Sequence, residues 1–389
     1  TLPATLTKLG SEAFRGCTSL TSIVIPDGVT VVNGFGGCTA LEKVVLPNNC
    51  SAIGSRAFSG TAIANIEIPN SVTDIGSYAF GSCPNLKSIT LSNNLTQISE
   101  QLFAGSGLES IIIPDAVTTI GSKAFENCKS LQEITFGTGL KSITAAAFSG
   151  CTALRKVTFN SVVTSGLGAL RIPSLTTIAG PYASEDGKCL IYNNELSLFA
   201  PYGLTEYTIP DNVTSIGDSL FYNCNSLTNV NIPEGVTTIK SYAFYNATSL
   251  ERITIPSTVT TIGNYALYMP SYNSSKLEVY CEPLVPPAIS SSTFDSYQRD
   301  LTIYVPIGAL SAYQNASVWK TLSSKIKAYA VDFDSAAIPS NEIWYESTTN
   351  TAITPNATGV FGANIVSNTY ENGLGIIRFD GDITSIGDK

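Results

Sequence analysis

The sequence predicts a solenoid of stacked units, each made of a short strand and a set of turns, and three observations lead to this fold class. A leucine or isoleucine opens a new unit every 21 to 23 residues over much of the chain, and such a period is typical of repeat proteins. Alternating apolar and polar residues follow and stop at a proline, which indicates a strand with one buried face. A phenylalanine comes later in the unit, and only stacking of successive units can bury it.

The elements of a unit can be taken in order from one example, L-E-S-I-I-I-P-D-A-V-T-T-I-G-S-K-A-F-E-N-C-K-S. Ile111 and Ile113 face the core from a predicted strand, which Pro114 ends because proline donates no hydrogen bond to a neighbouring strand. Gly121 is expected in a left-handed turn, and Phe125 on a short helical turn that leads to the next strand. The glycines equivalent to Gly121 are Gly10, Gly54, Gly76, Gly217 and Gly263.

These units resemble the leucine-rich repeat family and, more narrowly, the BspA-like class of bacterial surface proteins. The shared motif is L-x-x-I-x-I-P-x-x-V-T-x-I-G-x-x-A-F-x-x-C, and about ten of its positions recur in most units. The resemblance implies an α/β fold, a right-handed leucine-rich repeat solenoid that is β-rich, with parallel strands and short helical turns. It also implies export to the cell surface and binding to host or neighbouring-cell molecules, which is an inference by analogy.

Breaks in the period divide the chain. The predicted segments are a leucine-rich repeat array (1–159), an interrupting segment with a β-hairpin (160–203), the continued array (204–276), a terminal cap (277–330), and a linker with the truncated start of a further repeat module (331–389). Asn193 and Asn194 suit the tight turn of the hairpin, which is either a structural elaboration or a binding loop. Tyr313 and Trp319 are the expected anchors of the cap. Residues 376–389 match the repeat up to the position before its Ala-Phe pair, so we expect a fragment of a longer protein.

Composition narrows the classes of function. The chain has no histidine, which removes Ser-His-Asp and Cys-His catalysis and the usual zinc sites. Its net charge is −9 and it has no run of lysine or arginine, which argues against nucleic acid and anionic membranes as partners. No apolar stretch approaches the roughly 20 residues that span a bilayer. We therefore expect a non-enzymatic protein with no catalytic residue, no cofactor, no metal and no membrane insertion within this sequence.

Cysteines and carboxylates are the residues that could contradict this expectation. Six of the nine cysteines lie three residues after the repeat phenylalanine: Cys17, Cys38, Cys83, Cys128, Cys151 and Cys224. Other units have Thr61, Ser106 or Ala247 there, so the position is predicted to be a packing slot for reduced thiols. A bond between Cys189 and Cys281 stays open. Acidic residues after the prolines could serve a glycan-processing enzyme, but they fall in turns predicted to face solvent.

The candidate ligand-binding residues are five tyrosines. Tyr222, Tyr245 and Tyr268 are 23 residues apart, one full unit, and Tyr242 and Tyr265 precede the last two by three residues. Stacking of the units should bring them into one aromatic patch, suited to sugar rings or to a protein partner. The alternative is that they only cover the flank of the phenylalanine core. The outward positions of the strands, from Ser22 to Thr254, are mostly polar and hold no aromatic residue.

The sequence therefore predicts an extracellular or cell-surface module for adhesion or ligand binding. Its partner is expected to be a protein or glycan of the host or of a neighbouring cell. A structural stalk or spacer that displays other domains is the alternative, and a glycan-processing enzyme is a remote one.

Overall fold

The computed structural model describes residues 2–270, 276–294, 300–329, 342–345, 352, 365–371, 374–380 and 383. The chain forms two compact units, Thr1–Gly203 and Leu204–Lys389, which we call unit 1 and unit 2. In both, each repeat contributes a short strand, and most repeats add a two-residue strand after the turn that follows it.

The first set of strands in unit 1 pairs in parallel with the equivalent strands of neighbouring repeats. It comprises Ser22–Val24, Lys43–Val45, Asn65–Glu67, Ser88–Thr90, Ser110–Ile112, Glu133–Phe136, Lys156–Phe159 and Thr177–Ala179. The two-residue strands are Val31–Val32, Ala52–Ile53, Asp74–Ile75, Gln97–Ile98, Thr119–Ile120 and Ser142–Ile143. Ile111, Ile134 and Val157 are in register and buried, so the parallel-strand solenoid predicted from the repeat period is confirmed.

Within the predicted interruption (160–203), one more strand continues the parallel sheet before the chain leaves the repeat at a hairpin. A 3-10 helix, Leu167–Leu170, precedes the strand Thr177–Ala179. The strands Cys189–Tyr192 and Glu195–Phe199 then form an antiparallel hairpin. Its turn residues Asn193 and Asn194 have φ angles of 49° and 61°, the left-handed pair that a two-residue turn of this kind requires.

Unit 2 continues the same architecture and closes with short helices. Its repeat strands are Glu206–Thr208, Asn229–Asn231, Arg252–Ile255, Leu277–Cys281, Leu301–Pro306 and Ile326–Tyr329, and its two-residue strands are Ser215–Ile216, Thr238–Ile239 and Thr261–Ile262. The helices are Ile307–Ala309 (3-10), Leu310–Asn315 (α) and Trp319–Lys325 (3-10).

The two predicted cap anchors are buried and hydrogen-bonded. The Tyr313 hydroxyl donates to the carbonyl oxygen of Pro283, and Trp319 Nε1 donates to that of Pro287, both at 2.8 Å. Each aromatic side chain thus covers the end of the core and satisfies its one polar group.

Three further strands, Glu342–Tyr345, Ile365–Glu371 and Leu374–Phe379, form an antiparallel sheet with the last of them in the centre. Residues 376–379, where the repeat pattern predicts a new module, therefore pair antiparallel rather than parallel. The remainder of that predicted repeat, apart from Asp380 and Ile383, lies outside the described residues.

A stack of buried phenylalanines fills the core of unit 1. Successive ring centroids are 5.1–6.1 Å apart and the interplanar angles are at most 23°. The stacked residues are Phe14, Phe35, Phe58, Phe80, Phe103, Phe125 and Phe148. The segment that carries them is a series of turns rather than a helix, because a left-handed residue such as Lys123 (φ 55°) interrupts it in each repeat.

The prediction that the repeat glycine has a left-handed backbone is wrong. The left-handed residues lie elsewhere in the repeat, and Gly121 is not among them. A Cβ atom at Gly121 would lie 2.7 Å from Glu100 N and Ile98 O of the preceding repeat. At Gly121 a side chain is therefore disfavoured because the backbones of neighbouring repeats approach closely, although Ser99 and Thr144 occupy the equivalent position in other repeats. At Gly10, in the first repeat, the same position has open space around it.

Candidate ligand-binding surface

The five candidate tyrosines lie together on the turn segments of three successive repeats of unit 2. Tyr222, Tyr245 and Tyr268 form a first row, with ring centroids 5.1 Å and 5.7 Å apart and interplanar angles of 7°. Backbone hydrogen bonds between the turns set this spacing: Asn223 N donates to Tyr245 O at 3.0 Å, and Asn246 N to Tyr268 O at 3.1 Å. We call the five residues the tyrosine ladder.

Tyr242 and Tyr265 form the second row of the tyrosine ladder, with centroids 4.9 Å apart. Both residues have left-handed backbones, with φ of 58° and 56°, which turn their side chains toward the first row. The Tyr242 ring lies 5.6 Å from Tyr245, and the Tyr265 ring lies 5.4 Å from Tyr268 at 65°. The two rows therefore make one continuous aromatic surface.

Solvent reaches this surface. Tyr222 is 41% exposed and Tyr242 is 38% exposed, while Tyr245, Tyr265 and Tyr268 are half-buried. The rings thus cover the flank of the core, as the alternative interpretation holds, and also remain accessible to a ligand. The same five rings therefore cover the flank of the core and are partly exposed to solvent.

The fold does not require tyrosine at these positions. In unit 1 the residue after the repeat phenylalanine includes Ser59, Gly81 and Ser149. Lys123 and Ala146 hold the second-row position with the same left-handed backbone as Tyr242. Since repeats with small or charged residues form the same turns, the clustering of tyrosines is a property of the unit 2 sequence alone.

Polar groups border the tyrosine ladder. Asn246 Nδ2 donates to Asn223 Oδ1 at 2.8 Å, which aligns the two amides directly beside the first row. Asp218 accepts a hydrogen bond from Ser241 N at 3.2 Å, and Lys240 precedes Ser241. One formal charge of each sign therefore accompanies the ladder on these turns, beside hydroxyl and amide groups.

Comparison with known proteins places the chain in a family. The family model described as BspA type leucine rich repeat region, with six copies, matches residues 7–132, 96–182 and 195–300. The chain belongs to this BspA-type leucine-rich repeat family. No curated protein is significantly similar to it.

Similarity to the solved structure of a leucine-rich repeat protein supports the same fold. A leucine-rich repeat protein from Bacteroides ovatus is 25% identical, with a TM-score of 0.55 over 84% of this chain and 82% of its own. A leucine rich cell surface protein from Faecalibacterium prausnitzii is 26% identical over 66% of this chain and 79% of its own, with a TM-score of 0.33. The pneumococcal vaccine antigen PcpA is 16% identical over 81% of this chain and 90% of its own, with a TM-score of 0.45.

The cysteine slot of these BspA-type repeats is a hydrogen-bonding position as well as a packing position. The thiols donate at 3.0–3.1 Å to the carbonyl oxygen of the phenylalanine in the preceding repeat, in the pairs Cys38–Phe14, Cys83–Phe58, Cys128–Phe103 and Cys151–Phe125. Thr61 differs in its partner: its hydroxyl donates at 2.9 Å to Phe58 O, the phenylalanine carbonyl of its own repeat, which also accepts from Cys83. A hydroxyl residue in the slot therefore finds a hydrogen-bond acceptor as well. Burial raises the pKa of Cys128 to about 11 and that of Cys151 to about 12.

One slot cysteine, Cys17, differs from the expectation, and Cys281 answers the question that the sequence leaves open. Cys17 is exposed rather than buried, because no earlier repeat among the described residues covers its slot. Cys281 is a buried free thiol, so the structure contains no bond between it and Cys189. Burial raises the pKa of the Cys281 thiol far above its usual range, which keeps it protonated.

The carboxylates that could serve an enzyme are exposed as expected, four of them in turns and Asp74 in a two-residue strand. They are Asp27, Asp74, Asp115, Asp211 and Glu234. In the part of the chain that the structure describes, no group of three or more Asp, Glu, Cys or His residues could hold a metal ion. No helix in those residues is long and apolar enough to cross a membrane.

A second aromatic cluster, on the strand face of unit 2, was not predicted. Tyr280 stacks on Tyr304 at 4.7 Å and meets Tyr329 edge-on at 5.7 Å. The Arg252 guanidinium lies 4.7 Å above the Tyr280 ring and bonds to Glu278 Oε2 at 3.1 Å. The signal was present in L-E-V-Y-C, L-T-I-Y-V and I-K-A-Y, which alternate like the earlier strands, but the irregular spacing of the cap strands hid it.

One further concavity lies in unit 1, where the chain leaves the repeat. Its volume is about 280 Å³, and its lining includes Phe148, Cys151, Arg171, Ile172 and Pro173. Ligand pockets usually enclose about 300–1,000 Å³, and the Cys151 thiol in it is protonated at neutral pH. The residues named here therefore do not indicate a catalytic site in this concavity.

Proposed function

We propose that this chain is a ligand-binding module of an extracellular or cell-surface protein, and that it binds through the tyrosine ladder without catalysing a reaction. The observation that carries the proposal is the ladder itself: five accessible tyrosines in contact, at positions that the same fold fills elsewhere with serine, glycine, alanine or lysine. Membership of a family of bacterial surface proteins supports the location.

Physical chemistry supports binding at such a surface. Tyrosine is enriched among residues that dominate binding energies, because it offers a large apolar area and a hydroxyl at low cost in side-chain entropy. Here stacking on Tyr222 and Tyr268 already restricts the Tyr245 ring before any partner arrives. A partner therefore meets a preorganised surface, which lowers the entropic cost of association.

A non-enzymatic role is supported by the chemistry of the candidate groups. A glycosidase needs one carboxyl group with a raised pKa beside a second carboxylate. Asp27, Asp115 and Asp211 are exposed on turns, and Asp74 is exposed in a two-residue strand. Glu234 is also exposed but lies beside Glu282, whose carboxyl has a raised pKa, so this pair is the exception. The chain also lacks histidine, which is the most common general base in nucleophilic catalysis.

The test is a binding screen of the whole chain against a glycan array and a panel of extracellular-matrix proteins. We expect saturable binding to at least one ligand. Replacing Tyr222, Tyr245 and Tyr268 together with serine should weaken that binding about tenfold or more, since hot-spot truncations cost about 2 kcal/mol or more. Serine is chosen because Ser59 and Ser149 occupy the same position in folded repeats.

Two single variants locate the site. Tyr78→Ser removes a partly exposed tyrosine at the second-row position of unit 1, where the Tyr78 ring lies below the Arg56 guanidinium and its hydroxyl bonds to Ser82. This variant should leave affinity unchanged. Tyr304→Ser disrupts the strand-face cluster. Loss of binding in Tyr304→Ser, with full affinity in the triple variant, would move the site to the strand face. If the chain binds none of the glycans or matrix proteins in the screen, a structural stalk would be favoured.

A further inference from the structure

Stacking covers many of the ring faces in the tyrosine ladder, so the part of the rings that solvent reaches is mainly their edges. Tyr245 lies between Tyr222 and Tyr268 in a nearly parallel stack, at 5.1 Å and 5.7 Å, so both faces of its ring are covered. Tyr242 and Tyr265 cover one face of each other at 4.9 Å. A ligand cannot insert a flat group between these rings, and it meets hydroxyl groups and positively polarised ring edges instead.

The spacing of the ladder selects among elongated ligands. Equivalent groups repeat every 4.9–5.7 Å along the unit, because the repeats stack at the distance of neighbouring strands. Side chains on the same face of an extended peptide repeat at about 6.6 Å, twice the rise per residue. This spacing exceeds that of the rungs by about 1 Å or more, so successive side chains of a peptide would not align with successive tyrosines. A β-1,4-linked chain of pyranose sugars advances by about one rung per sugar. Successive sugars turn over, so neighbouring rungs meet opposite edges of the sugar ring, but both edges carry hydroxyl groups.

The polarity of the surroundings favours a neutral ligand. The aligned amides of Asn223 and Asn246 offer hydrogen-bonding groups at the same period as the phenols. Asp218 and Lys240 contribute one charge of each sign, so no net field attracts a polyanion. Paired hydroxyl and amide groups beside aromatic edges match the hydroxyl groups of uncharged sugars.

We infer that the tyrosine ladder binds an extended, neutral, β-linked glycan that runs across the repeats with one sugar for each rung. The three phenols of the first row then hydrogen-bond to three consecutive sugars, and the second row supports them from one side. This inference rests on the proposed function, since it names the class of ligand for the same surface.

Length and linkage provide the test. The whole chain is titrated calorimetrically with cello-oligosaccharides of one to six sugars, and with malto-oligosaccharides of the same lengths as the control. Both series consist of glucose, but the α-linked chain coils and cannot keep step with the rungs. We expect affinity for the β-linked series to rise with each sugar up to about three and then to level off, because each added contact acts at high effective concentration. Maltotriose should bind at least about tenfold more weakly than cellotriose.

Variants connect the readout to individual rungs. Tyr268→Ser removes an end rung and should shift the plateau from about three sugars to about two. Tyr78→Ser, on unit 1, should leave the length dependence unchanged. Folding of each variant is checked by its thermal unfolding curve, and serine is compatible with this turn in two other repeats.

The outcomes separate the inference from the proposed function. Equal affinity for the two linkages, or affinity independent of length, would overturn the inference. Saturable binding of a matrix protein that the triple serine variant abolishes, without binding of any oligosaccharide in the series, would overturn the inference and leave the proposed function standing. Binding of cello-oligosaccharides with full affinity by the triple serine variant would overturn both.

Discussion

Aromatic rings stack at the repeat period in both units, but in opposite environments. In unit 1 the stacked rings are phenylalanines 5.1–6.1 Å apart, and those from Phe35 to Phe148 are buried. In unit 2 the first row of the tyrosine ladder has spacings of 5.1 Å and 5.7 Å and is accessible to solvent. The comparison teaches that the fold dictates the spacing of rings, whereas their energetic role depends on burial.

The largest difference should appear when one ring is removed from the buried stack. Phe80 is fully buried between Phe58 and Phe103, at 5.6 Å and 6.1 Å. We expect Phe80→Ala to lower the free energy of unfolding by about 3–5 kcal/mol, since it removes buried apolar area and leaves a cavity. Urea denaturation followed by circular dichroism measures the change.

Phe80→Leu is the matched control for that variant. Leu267 occupies the equivalent position in unit 2 and is fully buried, so the repeat accommodates leucine there. The loss should be about 1–2 kcal/mol, because the cavity is smaller. Equal losses for the two variants would mean that ring stacking, rather than burial, accounts for the stability of the core.

The next effect concerns the close approach of neighbouring repeats. Gly121→Ala places a Cβ atom 2.7 Å from backbone atoms of residues 98 and 100, and we expect it to cost about 1–3 kcal/mol through backbone shifts. Gly10→Ala meets no atom within 4 Å and lacks a positive φ. It should therefore be neutral or stabilise by about 0.4–1 kcal/mol, since alanine has less freedom in the unfolded chain. Similar losses in both variants would contradict the close-approach explanation.

These glycines also show which structural features the sequence of one repeat can predict and which it cannot. The strands, the buried phenylalanines, the hairpin turn and the cap anchors follow from local patterns with one structural meaning, and they could be predicted. A recurring glycine has two possible causes, a left-handed backbone or a close neighbour. Nothing within one repeat distinguishes them, because the atoms that exclude a Cβ at Gly121 belong to the repeat before it.

The sequence predicts part of the aromatic surface of unit 2, namely the contacts that follow from the repeat period. Tyr222, Tyr245 and Tyr268 recur at the exact repeat period, so their contact follows from stacking. Tyr280 and Tyr304 are 24 residues apart, beyond the last regular repeat, and their contact could be found only after the strands Leu277–Cys281 and Leu301–Pro306 had been placed in register. The hydrogen bonds of the cysteine slot likewise cross between repeats.

Removing the exposed rings should cost little stability. The triple variant Tyr222→Ser, Tyr245→Ser, Tyr268→Ser loses two stacked pairs and three tilted or edge-on contacts with Tyr242 and Tyr265, each worth about 0.5 kcal/mol at the lower end of the usual range. Solvent exposure lowers the net contribution, so we expect a loss of about 1–2 kcal/mol in the free energy of unfolding, measured by urea denaturation beside Phe80→Ala. A loss as large as that of Phe80→Ala would show that the tyrosine ladder is part of the core, and it would weaken the case for a binding surface.

The smallest effect is a dependence on pH in unit 2. Burial raises the pKa of the Glu282 carboxyl, and the neighbouring Glu234 carboxylate raises it further. Ser257 Oγ donates to Glu234 Oε2 at 2.8 Å. A carboxyl whose pKa is higher in the folded state than in the unfolded state stabilises the fold below its unfolded pKa, and this contribution is lost as the pH rises through the folded pKa.

Glu282→Gln should remove this dependence. Wild type and variant are compared by urea denaturation between about pH 4 and about pH 7, which spans the usual range of glutamate titration and the region above it. We expect the stability of the variant relative to wild type to increase with pH, because the wild type alone must hold a partly buried charge beside Glu234. Glu234→Gln should give a change of the same sign but smaller, since it relieves the repulsion and leaves the burial of Glu282. A Glu282→Gln variant that becomes less stable than wild type as the pH rises would show that the charged carboxylate is stabilised by its surroundings, and the argument from burial would be wrong.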